Sequence, residues 1–199
     1  MSTSEIDFDP HARFEGESYQ DLLDRDSGKV PECLRSEQAP YLGSDSIPVS
    51  HYTSQERFDL EAEHMWSRVW QMACREEEIP NVGDHLVYDV LDKSVLLVRS
   101  APDRIQGYYN VCLHRGRKLV TKAGNRAEFR CPFHGFTWEL NGDFKSCPTP
   151  WDYQHLKDDA LQLPEVKVDT WGGFVFISFD SNAPELSEVV GPLDWHFKD

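Results

Sequence analysis

Two short runs of sequence each place a histidine just after a cysteine, and this repetition constrains the fold more than any other feature. The first run is Cys112-Leu-His114 and the second is Cys131-Pro-Phe-His134, with sixteen residues between them. Thiolate and imidazole are soft-to-borderline donors that suit iron–sulfur clusters, zinc and copper. The pattern therefore predicts a fold in which two loops face each other around a metal centre.

Zinc is one candidate for this centre, because structural zinc sites bind two cysteines and two histidines tetrahedrally. Zinc fingers, however, usually pair cysteine with cysteine and histidine with histidine along the chain. Each pair in this sequence is mixed. A [2Fe–2S] cluster with two cysteines on one iron and two histidines on the other fits the mixed order better, since each loop supplies one ligand to each iron.

Small and rigid residues surround the candidate ligands. Gly116 and Gly135 each follow a candidate histidine within two residues, and Pro132 follows the second cysteine. Glycine lets the backbone pass close to a bulky cluster, and proline has a fixed φ and no N–H, which suits a rigid ligand loop. We therefore expect the glycines to be needed for close approach to the metal centre.

The runs Tyr109–Gly116 and Cys131–Trp138 closely resemble the Rieske motif of ring-hydroxylating, non-haem iron oxygenases, in the N-terminal portion of their α (large) subunit. The shared pattern is C-x-H-x16-C-x2-H with a glycine in each loop. The resemblance extends over roughly residues 40–195. High-potential respiratory Rieske proteins have an additional cysteine in each loop, and the corresponding residues here are Arg117 and Phe133. The resemblance therefore implies an oxygenase-type cluster with no disulfide beside it.

This resemblance implies a mainly β fold, an antiparallel Rieske [2Fe–2S] domain that carries both ligand loops at one tip. Cys112 and Cys131 would bind one iron as thiolates, while His114 and His134 would bind the other. The implied function is the electron-transfer component of a ring-hydroxylating mono- or dioxygenase of aromatic hydrocarbon catabolism. Electrons would come from a ferredoxin or a flavin reductase and pass through a histidine to a mononuclear iron.

In the family, that second iron lies in a neighbouring subunit of a trimer and is bound by the pattern D-x2-H-x4-H. Asp152 and His155 begin this pattern here, but the next required position is Ala160. We therefore expect the mononuclear Fe(II) in a missing or partner domain, and we assign no catalytic residue in this chain.

Two other functions remain open on the sequence. A stand-alone Rieske ferredoxin would carry electrons to an unrelated enzyme, although a compact ferredoxin needs neither the segment up to Trp70 nor residues 166–195. A structural zinc module without redox activity is the second alternative. Copurification with a chain bearing D-x2-H-x4-H favours the oxygenase component, electron transfer by the isolated monomer favours the ferredoxin, and a colourless zinc protein favours the module.

Charge and cysteine content narrow the partners and the location. A net charge of −15 argues against a nucleic-acid partner. Residues 112–147 nevertheless carry seven basic and three acidic side chains, which favours an acidic redox partner at the ligand loops. We see no membrane-spanning run and no secretory signal, and five cysteines in irregular spacing fit a reducing, cytoplasmic location.

We predict two regions. Residues 1–50 carry eleven acids, four bases and four prolines, and form an acidic extended arm in which only residues 19–23 indicate a short helix. Residues 51–199 form the Rieske domain, including an amphipathic helix at 53–70 and the start of a link to an absent catalytic domain. Thr53 and Glu56 fit a capping box for that helix, and its apolar face, which includes Phe58 and Met65, is expected to pack in a core.

Beyond this helix, short β-rich runs alternate with turns, which is typical of an antiparallel domain. Asn141-Gly142 indicates a type I′ hairpin, and Gly172-Gly173 a turn or bulge. Residues 151–165 are expected to be a surface excursion. The predicted strands are 70–73, 85–91, 94–99, 105–111, 127–130, 136–140, 144–146, 166–171 and 174–179.

Overall fold

The computed structural model describes residues 16–35, 45–154 and 158–197. These residues form two compact units. Tyr52–Leu186 make the larger unit, and the described residues up to His51 together with those from Ser187 onward make the smaller one. All four candidate ligands belong to the larger unit. The predicted division at residue 50 stays a prediction.

The smaller unit is partly helical where the chain is described. Helix α1 covers Tyr19–Asp24 and begins with a capping box, in which the Ser18 hydroxyl accepts from the Asp21 N–H and the Asp21 carboxylate accepts from the Ser18 N–H. A 3₁₀ turn follows at Glu32–Leu34. The predicted extended arm therefore contains ordered helical turns in its described part, and residues 1–15 and 36–44 lie outside the described residues.

The helix predicted at 53–70 is present from Gln55 to Trp66, and both of its predicted ends are wrong. Helix α2 covers Ser50–Thr53, helix α3 covers Gln55–Glu61, and a single π-helical turn follows at Ala62–Trp66. Ser54 interrupts the run because it is extended, with φ −78° and ψ 126°, and its hydroxyl accepts from the Arg57 N–H as the N-cap of α3. The cap is thus Ser54, not Thr53.

The expected core packing of this helix is also wrong in part. Phe58 on α3 is 48% exposed, and Met65 on the π turn is 39% exposed. The helical spacing of these residues is correct, but the described residues leave much of that face uncovered. A period of 3.6 residues predicts which side chains share a face, and it does not say what covers them.

The described residues of the larger unit form ten strands, and each pair of neighbouring strands is antiparallel. They are β1 Gln71–Arg75, β2 Asp84–Val90, β3 Lys93–Ala101, β4 Arg104–Tyr109, β5 Gly124–Asn125, β6 Phe129–Arg130, β7 Thr137–Trp138, β8 Phe144–Ser146, β9 Glu165–Trp171 and β10 Phe174–Ser178. Seven form one sheet in the order β1-β10-β9-β4-β3-β2-β5, and β6-β7-β8 form a second. The predicted mainly β, antiparallel fold is confirmed. Helix α4, Leu186–His196, follows at the position of the predicted link.

Strand β3 explains how the large sheet supports the ligand loops. Val95 and Leu97 face one core cluster, while Leu96 and Val98 face the other, and all four are fully buried. Because successive side chains of a strand point to opposite faces, this continuous apolar run indicates a strand covered on both sides. The cluster that contains Leu96 and Val98 also contains both candidate cysteines.

The two glycine-rich hairpins differ in their turns. Gly172 and Gly173 both have positive φ, 59° and 82°, between the paired residues Trp171 and Phe174, as a two-residue type I′ turn requires. The type I′ prediction for Asn141-Gly142 is wrong, because among the described residues only Leu91 is a non-glycine with positive φ. The hairpin has a three-residue loop, in which the Gly142 N–H donates to the Glu139 carbonyl and Gly142 has φ 84°.

The expected surface excursion at 151–165 is only partly correct. Leu161 and Leu163 are 5% and 1% exposed, and the Trp138 indole N–H donates to the Leu161 carbonyl at 2.6 Å. The Leu163 N–H donates to the Gly142 carbonyl at 3.0 Å. The segment therefore returns to the core that lies beneath the ligand loops.

Candidate metal centre

The first ligand loop closes on itself through its cysteine backbone. The Cys112 N–H donates to the Arg117 carbonyl at 2.8 Å, and the Gly116 N–H donates to the Cys112 carbonyl at 2.8 Å. Gly116 has a φ of 73°, in the left-handed region that glycine enters without a steric penalty. The loop is therefore a tight turn held by the backbone N–H and carbonyl of Cys112.

The second ligand loop repeats this geometry. The Cys131 N–H donates to the Phe136 carbonyl at 2.8 Å, and the Gly135 N–H donates to the Cys131 carbonyl at 3.0 Å. Gly135 has a φ of 74°. In both loops the glycine is four residues after the cysteine, whereas the histidine is two residues after it in one loop and three in the other. Positive φ is therefore a second reason for glycine at both positions, besides the expected close approach of the backbone to the metal centre.

The two cysteine side chains lie side by side in the core. Cys112 is 2% exposed and Cys131 is 3% exposed. Burial raises the pKa of the Cys112 thiol, the backbone N–H groups of His114 and Arg115 lower it, and the adjacent Cys131 thiol raises it. Burial outweighs these N–H groups, so the pKa of the Cys112 thiol lies above its usual range, although N–H groups directed at the sulfur partly offset the rise by stabilising the thiolate that binds metal.

The rings of the two candidate histidines lie close together. Their ring centroids are 4.9 Å apart, and the ring planes differ by 65°. His114 is half-buried, and His134 is exposed. Burial lowers the pKa of His114, with smaller contributions in the same direction from His134 and Arg115. A neutral imidazole is the form that binds metal.

One ring nitrogen of His114 is left without a partner. Its Nδ1 is buried and accepts or donates no hydrogen bond among the described residues, whereas its Nε2 is 3.3 Å from the Tyr153 hydroxyl. A buried polar atom without a partner is costly and needs a reason. A metal bound at Nδ1 satisfies that atom, so the residues present fit the [2Fe–2S] group that the motif implies.

Within the described residues, no three His, Cys, Asp or Glu side chains converge on a point that could hold a single metal ion. A Rieske cluster takes only two protein ligands for each iron. The pair of thiols and the pair of imidazoles match that requirement.

Asn110 anchors the segment that returns from the first loop. It is 3% exposed, and its Oδ1 accepts from the Leu119 and Val120 N–H groups at 2.9 and 3.1 Å. Its Nδ2 donates to the Val120 carbonyl at 2.8 Å and to the Ser94 hydroxyl at 3.1 Å. One buried amide therefore fastens the first ligand loop to strand β3.

Two aromatic residues that the sequence reasoning missed support His114. The buried Phe136 ring is stacked on the His114 ring, with centroids 4.6 Å apart and planes 13° apart. The Tyr153 ring lies edge-on to both, with centroids 5.6 Å from His114 and 5.1 Å from Phe136. Phe136 follows the second loop in the motif, and Tyr153 is an aromatic residue in a polar stretch, so each left only a weak signal in the sequence.

The basic residues around the loops fall into two groups. Lys118 pairs with Asp89, and Lys145 pairs with two glutamates. The remaining five are exposed and form no ion pair within the described residues. They are Arg115, Arg117, Lys122, Arg126 and Arg130. Two of them, Arg126 and Arg130, line an open cleft of about 530 Å³ beside Phe133 and His134.

The partial second-iron pattern has no described counterpart. Asp152 lies in a 3₁₀ turn, Pro150–Asp152, and is exposed. His155 lies outside the described residues.

In the part of the chain that the structure describes, no helix is both long and apolar enough to cross a membrane.

Fold and loops together define a Rieske [2Fe–2S] domain. Residues 69–162 match the family described as the Rieske [2Fe-2S] domain. The chain belongs with the Rieske oxygenase large subunits and corresponds to their Rieske portion.

Similar proteins come from several oxygenase systems. The chain is 29% identical over 149 residues to the oxygenase subunit of carnitine monooxygenase from Escherichia coli. This match covers 74% of this chain and 40% of that subunit. It is 30% identical over 184 residues to the oxygenase subunit of glycine betaine monooxygenase from Pseudomonas aeruginosa, covering 91% of this chain and 41% of that subunit. The chain thus spans about two fifths of the length of these relatives.

A solved structure shows the same architecture. Naphthalene 1,2-dioxygenase from Rhodococcus sp. bound to indole superposes with a TM-score of 0.70 and 28% sequence identity. The match covers 75% of this chain and 35% of the dioxygenase chain.

Proposed function

We propose that Cys112 and Cys131 bind one iron of a Rieske cluster as thiolates, while His114 and His134 bind the other. The buried, adjacent thiols and the buried, unpartnered Nδ1 of His114 support this ligand set. Nδ1 is accordingly the nitrogen through which His114 reaches the iron. The cysteines hold the inner side of the centre, and the histidines hold its outer side.

The proposed function is electron relay for a Rieske oxygenase. When bound, the cluster supplies one-electron redox chemistry at a potential above that of all-cysteine clusters, because neutral imidazoles replace two anionic thiolates. The chain's own residues bury the thiolate side away from water and present the imidazole side at the surface. The single observation that carries the proposal is the repeated loop geometry, which places one buried cysteine and one outer histidine in each loop.

The acceptor is proposed to be a mononuclear iron held outside this chain. No complete D-x2-H-x4-H pattern is present in the sequence. A separate domain or subunit that carries this iron, in a trimeric assembly, completes the oxygenase.

We place the chain in the cytoplasm, because all five of its cysteines are free, including the exposed Cys33.

The electron donor is proposed to be an acidic ferredoxin or flavin reductase. His134 is exposed, and its neighbour Phe133 is 59% exposed, so this histidine offers an accessible route to the centre. The cleft beside them carries Arg126 and Arg130, which would attract an acidic surface. The overall net charge of −15 makes this basic face distinct from the rest of the chain.

The experiment is EPR spectroscopy of anaerobically purified, dithionite-reduced protein, with iron and sulfide counted on the same sample. We expect a rhombic signal with an average g value below that of all-cysteine clusters, and two irons with two sulfides for each chain. A colourless protein with one zinc and no sulfide would replace electron relay with a structural metal module. Efficient electron transfer by the isolated chain to an unrelated oxygenase would instead favour a ferredoxin.

A further inference from the structure

The two candidate histidines differ in how this chain holds their outer edges. The Nε2 of His114 lies 3.3 Å from the Tyr153 hydroxyl, and Phe136 covers one face of its ring. His134 is exposed, its nearest ring is that of the adjacent Phe133, and its ring nitrogens have no hydrogen bond within the described residues. The chain therefore fixes one histidine internally and leaves the other open.

We propose that Tyr153 is a positioning residue that holds His114 through Nε2 and lowers the reduction potential of the metal centre. This inference rests on the proposed ligand set. If Nδ1 of His114 faces the iron, the remaining proton of the neutral imidazole is on Nε2, and that N–H needs an acceptor. The Tyr153 hydroxyl oxygen lies where that acceptor is required.

Tyr153 is itself held in place. It follows the 3₁₀ turn Pro150–Asp152, and its N–H donates to the Pro150 carbonyl at 3.1 Å. Its half-buried ring packs against the core cluster that contains both cysteines, edge-on to Phe136 at 5.1 Å. A hydroxyl fixed in this way restricts the ring of His114 without any residue from another chain.

The direction of the effect follows from the hydrogen bond. An imidazole that donates its outer N–H to an oxygen is more electron-rich at the nitrogen that binds metal. A more electron-rich ligand stabilises the oxidised, more positive state of the iron. Loss of the hydroxyl therefore makes the centre easier to reduce.

The test compares Tyr153→Phe with wild type and with Tyr88→Phe. Tyr88 provides a matched control because its hydroxyl makes a hydrogen bond of the same length, 3.3 Å, to Gln71, but its ring packs against the other core cluster. Iron, sulfide and thermal melting are measured for each protein, followed by an EPR-monitored redox titration. At a fixed solution potential, we expect Tyr153→Phe to raise the ratio of reduced to oxidised centre roughly twofold to tenfold, the effect of one hydrogen bond. A tenfold change corresponds to a shift of about 59 mV in a one-electron midpoint.

Each outcome decides the proposal. A raised midpoint in Tyr153→Phe alone supports it, as does loss of iron from Tyr153→Phe alone when the metal-free proteins melt at the same temperature. An unchanged midpoint in Tyr153→Phe, or an equal shift in both variants, overturns it. Absence of iron and sulfide from the wild-type protein would instead refute the proposed ligand set, so the two failures are distinguishable.

Discussion

The imidazole of His114 lies almost parallel to the ring of Phe136, with 4.6 Å between centroids and 13° between planes. Phe136 is 1% exposed and packs in the same core cluster as both candidate cysteines. The Phe136 carbonyl accepts from the Cys131 N–H, and this hydrogen bond closes the second ligand loop. This one residue therefore couples the first loop's histidine to the second loop's backbone.

Changing Phe136 to Leu should reduce both the stability of the fold and the amount of bound iron. The loss of a buried aromatic side chain costs about 1–2 kcal/mol in the free energy of unfolding, and the His114 ring loses its stacking partner. Phe129→Leu is the matched control, because Phe129 is fully buried in the same cluster but packs edge-on to His85. Chemical denaturation should show similar losses of stability in the two variants. Iron counting should show a loss of bound iron only in Phe136→Leu. Equal iron contents would show that the stacking does not hold the ligand.

The two loop glycines should differ in their response to alanine. Both have φ near +74°, which costs an L-residue about 1 kcal/mol or more. A Cβ at Gly116 would meet no atom within 4 Å, whereas one at Gly135 would lie 3.0 Å from Pro148 Cγ and 3.2 Å from Arg130 Nη2. We therefore expect Gly135→Ala to lower the free energy of unfolding more than Gly116→Ala does.

Denaturant titrations of both variants provide the measurement. Gly124→Ala is the control, because Gly124 has no positive φ and its Cβ would make only an ordinary van der Waals contact, 3.5 Å from His85 Cε1. In strand β5 this change should be neutral or stabilising, since glycine loses more conformational freedom on folding than alanine does. An equal cost at Gly116 and Gly135 would mean that the neighbours of Gly135 move aside.

Removing the Asn110 side chain should detach the first ligand loop from β3. Asn110→Ala leaves the buried N–H groups of Leu119 and Val120 without their acceptor. Each unsatisfied buried group costs about 1–3 kcal/mol, so the total loss should reach about 3 kcal/mol. Asn141→Ala, at an exposed turn, should cost less than about 1 kcal/mol. Denaturation curves that place both variants within 1 kcal/mol of wild type would contradict this role for Asn110.

The sequence was sufficient to predict the features that depend on local pattern. The β-rich run 94–99 predicted a strand, and β3 covers Lys93–Ala101, with its central side chains buried on two faces. The repeated Cys–His pairs predicted two facing loops, and the histidine rings are 4.9 Å apart. The β-rich run and the Cys–His spacing of each loop are both encoded within a few residues, so the folded context did not change them.

Two kinds of feature were not predictable in this way. In one, neighbouring residues compete for the same structural role, and in the other, the contacting residues are far apart in the sequence. Thr53 and Ser54 are both good N-caps, and the choice between them rests on which residue adopts extended backbone angles. Asn141 suggested a type I′ turn, but the loop places only Gly142 at positive φ. The contact between Tyr153 and His114 joins residues 39 positions apart, so no local pattern could indicate it.

Changing His134 to Cys should lower the reduction potential while some cluster is retained. A thiolate in place of one of the two imidazoles on the outer iron adds negative charge and stabilises the oxidised state, which moves the midpoint toward the roughly −400 mV of all-cysteine clusters. EPR-monitored titration measures this shift. His64→Cys, at an exposed histidine on the π-helical turn, should leave the potential unchanged. An unaltered midpoint in His134→Cys would mean that His134 is not a ligand.

Reversing charge in the cleft beside His134 should slow reduction by an acidic donor. Arg126 and Arg130 are exposed, line the cleft, and form no ion pair within the described residues, so their positive charge is available to a partner. With a ferredoxin of net negative charge as donor, Arg126→Glu and Arg130→Glu should each lower the second-order rate constant about tenfold at low ionic strength. Stopped-flow measurements at increasing salt should show the difference shrinking, since screening weakens interactions between exposed charges.

Arg104→Glu is the control for this effect. Arg104 is an exposed arginine at the first residue of β4, and the strand leads away from it toward the ligand loop, which begins after Tyr109. The two ends of a six-residue strand are separated by roughly 17 Å, well beyond the screening length of about 8 Å at physiological ionic strength. The control should therefore reduce the rate much less. Equal losses at Arg104 and Arg126 would show that net charge, and not the cleft beside His134, guides the donor.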